Sequence, residues 1–214
     1  MLPPKHFYMI RHGQTEANEA RVMAGSTDSP LTPLGRRQAR SVHTVLESLA
    51  IKPQTIIHSH LSRARDTAHI LNESLGAHIY EDADLAEMHV GSFEGASYED
   101  CTPIFEDLCD PPGGETHADF CGRIRRGLTR ALENHDHSVL VVCHGGVLAA
   151  LGKLYGIRAK HLFQNCHLYE FEPNPSREKF PWQVWQHDPC HKVNGRIIRK
   201  TAVLFHEAVE AIDS

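Results

Sequence analysis

A chain of 214 residues, 41% hydrophobic and 23% charged, is long enough to enclose a full core and has the composition of a soluble globular protein. Its formal net charge of −5 lacks the basic excess that marks a nucleic-acid surface, and no apolar run approaches the roughly 18 residues of a membrane span. Six cysteines without a CxxC pair read as reduced thiols, and the start lacks an apolar leader, so the expected location is the cytoplasm.

The apolar run from Phe7 to Ile10 ends in Arg11-His12-Gly13, which suits a buried strand followed by a turn. Thr32-Pro33 then supplies an N-cap and a first-turn proline. Leu34, Val42, Val45, Leu46 and Leu49 follow at mostly helical spacing, predicting one helix that stops before Pro53. Thr55 to Ile57 is a second β-branched run, and Ala64, Ala68, Leu71 and Leu75 form one face of a helix over 63–75. A third strand is expected near His78 to Tyr80. The stretch 91–115, with Pro103, Pro111, Pro112, Gly113 and Gly114, reads as an insertion over the body. Phe120, Ile124, Leu128, Ala131 and Leu132 mark another amphipathic helix. Val139 to Val142 is the strongest strand signal, and it runs through Cys143-His144-Gly145-Gly146 into a helix over 147–154. His167 to Phe171 and Trp182 to Trp185 are expected edge strands, and 202–212 a last helix. This alternation predicts an α/β fold, a three-layer sandwich around a mainly parallel sheet, in a single domain spanning 1–214.

Two strand ends carry a His-Gly pair, at His12-Gly13 and His144-Gly145. Ligands of open α/β sheets sit beyond the carboxyl ends of the strands, so two histidines 132 positions apart can share one site. Arg11 and Arg63 add two forked guanidinium groups, the favoured partners of phosphate oxygens. These residues by themselves point to an anion site containing imidazoles. Rival motifs are weaker. Cys143 and His144 are strand neighbours and so face opposite sides, which argues against a Cys/His dyad. His187, Cys190 and His191 have metal-ligating atoms but no matching second pair, and His135 and His137 beside a turn read as solvated.

Arg11-His12-Gly13-Gln14-Thr15-Glu16-Ala17-Asn18 resembles the RHG signature of the histidine phosphatase superfamily, the phosphoglycerate mutase-like proteins. Ala24-Gly25, Asp28, Leu31-Thr32 and Leu34-Gly35 are similar to the segment that follows it there. Ser59-His60-Leu61-Ser62-Arg63-Ala64 with Thr67-Ala68 resembles the second arginine motif. Leu85-Ala86-Glu87 with Gly91, Phe93, Glu94 and Gly95 resembles the segment holding the acid. Gly114-Glu115-Thr116 and His144-Gly145-Gly146 complete a match over about 7–172, while the tail from about 173 matches poorly. His60 and Val22 depart from the family's usual proline and aromatic residues.

The resemblance implies that His12 attacks phosphorus, that Arg11, Arg63 and His144 hold the equatorial oxygens, and that Asn18, Gly25 and Gly145 complete the phosphate site. Glu87 is the implied acid and base, with Glu81, Glu94 and Glu99 as nearby rivals. No cofactor and no metal are implied, since two arginines and an imidazole can replace a magnesium ion. Three functions follow: a phosphomonoesterase, a cofactor-dependent phosphoglycerate mutase, or a non-catalytic phosphate-ligand binding protein. Gly114 follows Glu87 by only 27 positions, and the longer basic insertion of the mutases is absent. Ser92-Phe93-Glu94-Gly95 also looks more like the phosphatase version. A binding protein is expected to have lost the nucleophile or an arginine, and this chain keeps both. Phosphatase is therefore the preferred reading. The expected partner is a small phosphorylated metabolite, with no nucleic acid or membrane, and a homodimer is left open. Glu99, Asp100, Glu106, Asp107 and Asp110 in the roof, together with Tyr98, argue for a sugar, nucleoside or cofactor-precursor phosphate rather than a highly anionic substrate.

Overall fold

Strands β1 (Phe7–Arg11), β2 (Thr55–His58), β3 (His78–Glu81), β4 (Val139–Cys143), β5 (Leu168–Pro173), β6 (Trp182–Val193) and β7 (Arg196–Thr201) form one sheet in the order β3-β2-β4-β1-β5-β6-β7. The computed structural model describes residues 1–105, 109–157, 163–177, 179–193 and 196–201. The expected last helix over 202–212 falls outside these residues, and so do the side chains of Cys190 and His191. Pairing is parallel from β3 through β1 and antiparallel from β1 through β7. The parallel strands at the centre are those implied by the strand–helix alternation. The antiparallel extension is larger than the two short edge strands expected, because β6 runs on past Trp185 and β7 pairs with it.

Phe-Tyr-Met-Ile of β1 and the whole of β4 are buried, as strands covered on both faces must be. Alternation divides their side chains between two cores. Phe7, Met9, Val139 and Val141 pack with Phe120, Ile124 and Leu128 of α6 (His117–Glu133) and with Val147 and Leu151 of α7 (Gly145–Lys153). Tyr8, Ile10, Leu140 and Val142 pack on the other face with Ala64, Ala68 and Leu71 of α4 (Ser62–Leu75) and with helices α2 (Pro33–Ser41) and α3 (His43–Ser48).

Three local features depart from the expectations. The single helix after Thr32 is two, α2 and α3, meeting at Val42. Leu34 is 41% exposed instead of sharing the inner face, because Gly35 and Ala39 are the α2 residues turned to the core. A short helix α1 (Glu16–Ala20), with no buried residue and hence no apolar periodicity, follows the first His-Gly turn. It is held by a capping box in which the Thr15 and Asn18 side chains each accept from the other's backbone N–H. Helix α5 (Thr102–Phe105) lies in the insertion. No helix among the described residues is long and apolar enough to cross a membrane.

Candidate active site

The parallel register pairs Arg11 of β1 with Cys143 of β4, so the chain leaves both strands at the same level. The next residues, His12 and His144, therefore stand side by side, with ring centroids 5.1 Å apart. The His12 amide donates to the Cys143 carbonyl at 2.9 Å. Both side chains are buried, at 3% and 0% exposure.

Each imidazole has a defined proton. His12 Nδ1 lies 2.7 Å from the Gly13 carbonyl, which can only accept, so Nδ1 carries the hydrogen and Nε2 is bare. His144 Nδ1 accepts from Arg63 Nε at 3.3 Å, so a neutral His144 carries its hydrogen on Nε2. Burial, then Arg11 and Arg63, holds His12 well below the ordinary histidine range. His144 is lowered in the same way by burial, Arg63, His12 and Arg11. Among the described residues, two buried side-chain polar atoms lack a hydrogen-bond partner: Arg11 Nε and His144 Nε2. Both belong to this site, and both are donors.

Arg11 is anchored through Nη1, which donates to the Phe163 carbonyl at 2.6 Å. Gly145 opens α7 beside it, with space for a Cβ no nearer than 3.7 Å to Arg11 Nε. Arg63 lies near the start of α4 and is 1% exposed. Its guanidinium donates to the carbonyls of Thr27 (2.9 Å), Ala24 (3.0 Å) and Gly25 (2.6 Å). Asn18 donates to the Tyr98 hydroxyl at 3.0 Å and accepts from Asn165 at 3.3 Å.

Glu87 enters the same crevice from the loop before the insertion. Its Oε2 accepts from the Gly146 amide in the first turn of α7 at 3.0 Å, and its Oε1 from Met88 at 3.0 Å. A Cβ on residue 146 would lie 2.1 Å from Glu87 Oε1, so the carboxyl can sit here only against glycine. Of the rival acids, Glu81 and Glu99 are exposed. Burial pushes Glu94 up, but hydrogen bonds from the 25–27 loop and the Val90 amide outweigh it and hold the carboxyl below the usual carboxylate range.

Arg123 and Asn165 shape the site without a mark in the sequence, while Glu115 and Thr67, present in the motifs, take contacts the sequence does not specify. Arg123 pins the Glu87 loop by donating to the carbonyls of Asp84, Ala86 and Glu87, and Glu115 holds Arg123 at 2.7 Å. Asn165 donates to the His12 carbonyl at 2.8 Å. Thr67 accepts from the Gly13 amide and donates to the Arg63 carbonyl, tying the His12 turn to α4. The rival motifs are otherwise engaged. Burial pushes the Cys143 thiol well above its ordinary range, so no thiolate adjoins His144. His187 pairs with Glu170 at 2.9 Å, and no group of three His, Cys, Asp or Glu among the described residues could hold a metal ion. His135 and His137 are half-buried rather than solvated, because their rings adjoin and His137 pairs with Thr55.

The lowered proton affinity of the two buried histidines should make the unliganded protein acid-sensitive. Their folded values lie below the unfolded one, so below about pH 6.5 the unfolded chain binds more protons and stability falls as pH falls. Each contributes up to about 1.4 kcal/mol per pH unit in that window. Melting temperatures measured from pH 7.5 to 5 should therefore drop less steeply in a His12→Asn, His144→Asn double variant. An unchanged slope would contradict this.

A sequence profile described as "Histidine phosphatase superfamily (branch 1)" matches residues 7–185. A putative phosphoserine phosphatase of Hydrogenobacter thermophilus is 34% identical over 175 residues, which is 77% of this chain and 85% of that protein. A probable phosphoglycerate mutase of Serratia proteamaculans is 32% identical over 191 residues, covering 82% of this chain and 86% of that one. Among solved structures, a mycobacterial glucosyl-3-phosphoglycerate phosphatase in complex with VO3 superposes with a TM-score of 0.70 and 28% identity, over 84% of this chain and 97% of that one.

Proposed function

Because this chain belongs to the histidine phosphatase superfamily, branch 1, we propose that it is a phosphomonoesterase that hydrolyses a small phosphorylated metabolite through a phosphohistidine on His12. One observation carries the reading. The His12 ring with its bare nitrogen adjoins the His144 ring, and two donors of the site, Arg11 Nε and His144 Nε2, are buried without an acceptor. Orphaned buried donors are costly, and a phosphate oxygen supplies the missing acceptor.

In the first step His12 Nε2 attacks phosphorus, the P–O ester bond breaks, and the leaving oxygen takes a proton from Glu87. In the second step Glu87 takes a proton from water, the water oxygen attacks phosphorus, and the P–N bond breaks to restore His12. Arg11, Arg63, His144 and Asn18 hold the phosphoryl oxygens, and Gly25 and Gly145 let the chain close around them. A dianion beside His144 raises its proton affinity above that of the unliganded protein, while Nε2 donates to a phosphoryl oxygen. Phosphoryl transfer depends mainly on such positioning and charge stabilisation. The Gly13 carbonyl supports the nucleophile's role, since it keeps the proton on Nδ1 and leaves Nε2 free.

Of the roof residues, Tyr98, Glu99, Asp100 and Asp110 lie among the described residues and Glu106 and Asp107 outside them. Their acidity supports a sugar, nucleoside or cofactor-precursor phosphate. The test is phosphate release from a panel of monoesters, with chelator and with vanadate. Release should survive EDTA and be blocked by vanadate, whose trigonal bipyramidal adducts match the in-line transition state. Loss of activity in EDTA with recovery on adding zinc or magnesium would sink the mechanism. The relative named as a mutase keeps a second reading open. Given 3-phosphoglycerate and a trace of the bisphosphate, this chain should release phosphate faster than it forms 2-phosphoglycerate, and the reverse ratio would favour the mutase.

A further inference from the structure

The segment from Ala24 to Thr27 is gripped from two sides by opposite charges. Its amides turn towards Glu94: Oε2 accepts from Gly25 (3.0 Å) and Thr27 (3.2 Å), and Oε1 from Ser26 (2.8 Å). The Ser26 hydroxyl at 3.1 Å and the Val90 amide at 3.3 Å complete the shell of Oε1. Its carbonyls turn the other way, and those of Ala24, Gly25 and Thr27 accept from the Arg63 guanidinium. Residue 25 has to be glycine for this grip, since a Cβ there would stand 2.6 Å from Glu94 Oε1 and 2.2 Å from the Met88 carbonyl.

Glu94 has no capacity left for a substrate, yet its loss would reach the reacting centre. Without the carboxylate, the amides of Gly25, Ser26 and Thr27 lose their shared acceptor and have to seek water. Two of the same peptide units, Ala24–Gly25 and Gly25–Ser26, carry carbonyls that orient Arg63, so turning their amides out turns those two carbonyls away. Arg63 Nε is in turn the donor that fixes the His144 tautomer. The chain of contacts thus runs from Glu94 through two peptide groups to Arg63 and on to His144.

We propose that Glu94 is a positioning residue for phosphoryl transfer, acting through the 24–27 segment to aim Arg63 and, through it, His144. This rests on the reading above that Arg63 holds the phosphoryl group. Glu94→Gln keeps the size but presents an amide nitrogen on one side, where two backbone N–H groups now need an acceptor.

The experiment is a double-mutant cycle with Arg63→Lys, read as kcat/KM, as inhibition by orthovanadate and as the 15N chemical shifts of the His144 ring. Glu94→Gln should cost about 10²-fold in kcat/KM, the scale of an ångström-level misplacement, and should weaken vanadate inhibition alongside. The His144 shifts should move away from a pure Nε2-protonated tautomer. In the Arg63→Lys background the same substitution should add less than about threefold, because coupled residues do not act independently. Multiplying losses, or a normal His144 spectrum in Glu94→Gln, would overturn the proposal. Wild-type activity in Arg63→Lys would instead sink the assignment of Arg63. If Glu94→Gln fails to fold by its melting curve, Glu94→Asp takes its place. Failure of both to fold would make Glu94 a folding residue and overturn the proposal as well.

Discussion

Replacing His12 with asparagine should abolish turnover, with a loss on the order of 10⁶-fold, the scale seen when a covalent nucleophile is removed. Asparagine can still donate from the position of Nδ1 to the Gly13 carbonyl, so the turn after β1 should survive. Arg11 Nε and His144 Nε2 remain in place, and the variant should continue to bind vanadate. In the unsubstituted enzyme, incubation with a labelled phosphomonoester and an alkaline quench should leave label on His12. Acid should then release it, as expected of a phosphoramidate. Label on Cys143 or on a serine, or normal turnover by the variant, would refute the nucleophile.

The second large effect concerns proton transfer. Glu87→Gln keeps an acceptor for the Gly146 amide while removing the exchangeable proton. The variant should lose on the order of 10²- to 10⁴-fold against an alkyl phosphate, whose alkoxide leaves poorly without protonation. Against nitrophenyl phosphate the burst of nitrophenol should fall far less, because nitrophenolate departs unaided. Equal losses on both esters would mean that Glu87 shapes the crevice instead. No loss on either would leave the acid to be found elsewhere. The geometry narrows that search, since Glu94 is engaged by four amides and Glu81 and Glu99 are exposed.

The fold and the histidine pair were legible because they rest on patterns that sequence records well. Val139 to Val142 and Phe7 to Ile10 are buried on both faces, and such strands read as unbroken apolar runs. Their shared ending level follows from parallel pairing, so His12 and His144 could be brought together without a structure. Helix α1 was not legible because none of its residues is buried and no apolar periodicity marks it. The break at Val42 was missed because both sides of it keep helical backbone angles and the apolar spacing continues across it. The environment of Arg63 was hidden for another reason. Its partners are the carbonyls of Ala24, Gly25 and Thr27, and a carbonyl leaves no trace in side-chain chemistry. Arg123 and Asn165 are legible only as polar residues in ordinary positions, although one fixes the Glu87 loop and the other the His12 carbonyl.

The pairing of β1 with β4 also bears on how the catalyst comes into being. No contiguous stretch of the chain holds both imidazoles; they meet only when the first strand of the sequence has been inserted between β4 and β5. Contacts spanning so much of the chain are slow to form, because loop closure has to precede the contacts that reward it. A nascent chain that has not yet made β4 holds Arg11, His12, Arg63 and Glu87 but no partner surface for them. The side-by-side placement of His12 and His144 therefore has to await the pairing of β1 with β4 at the centre of the sheet.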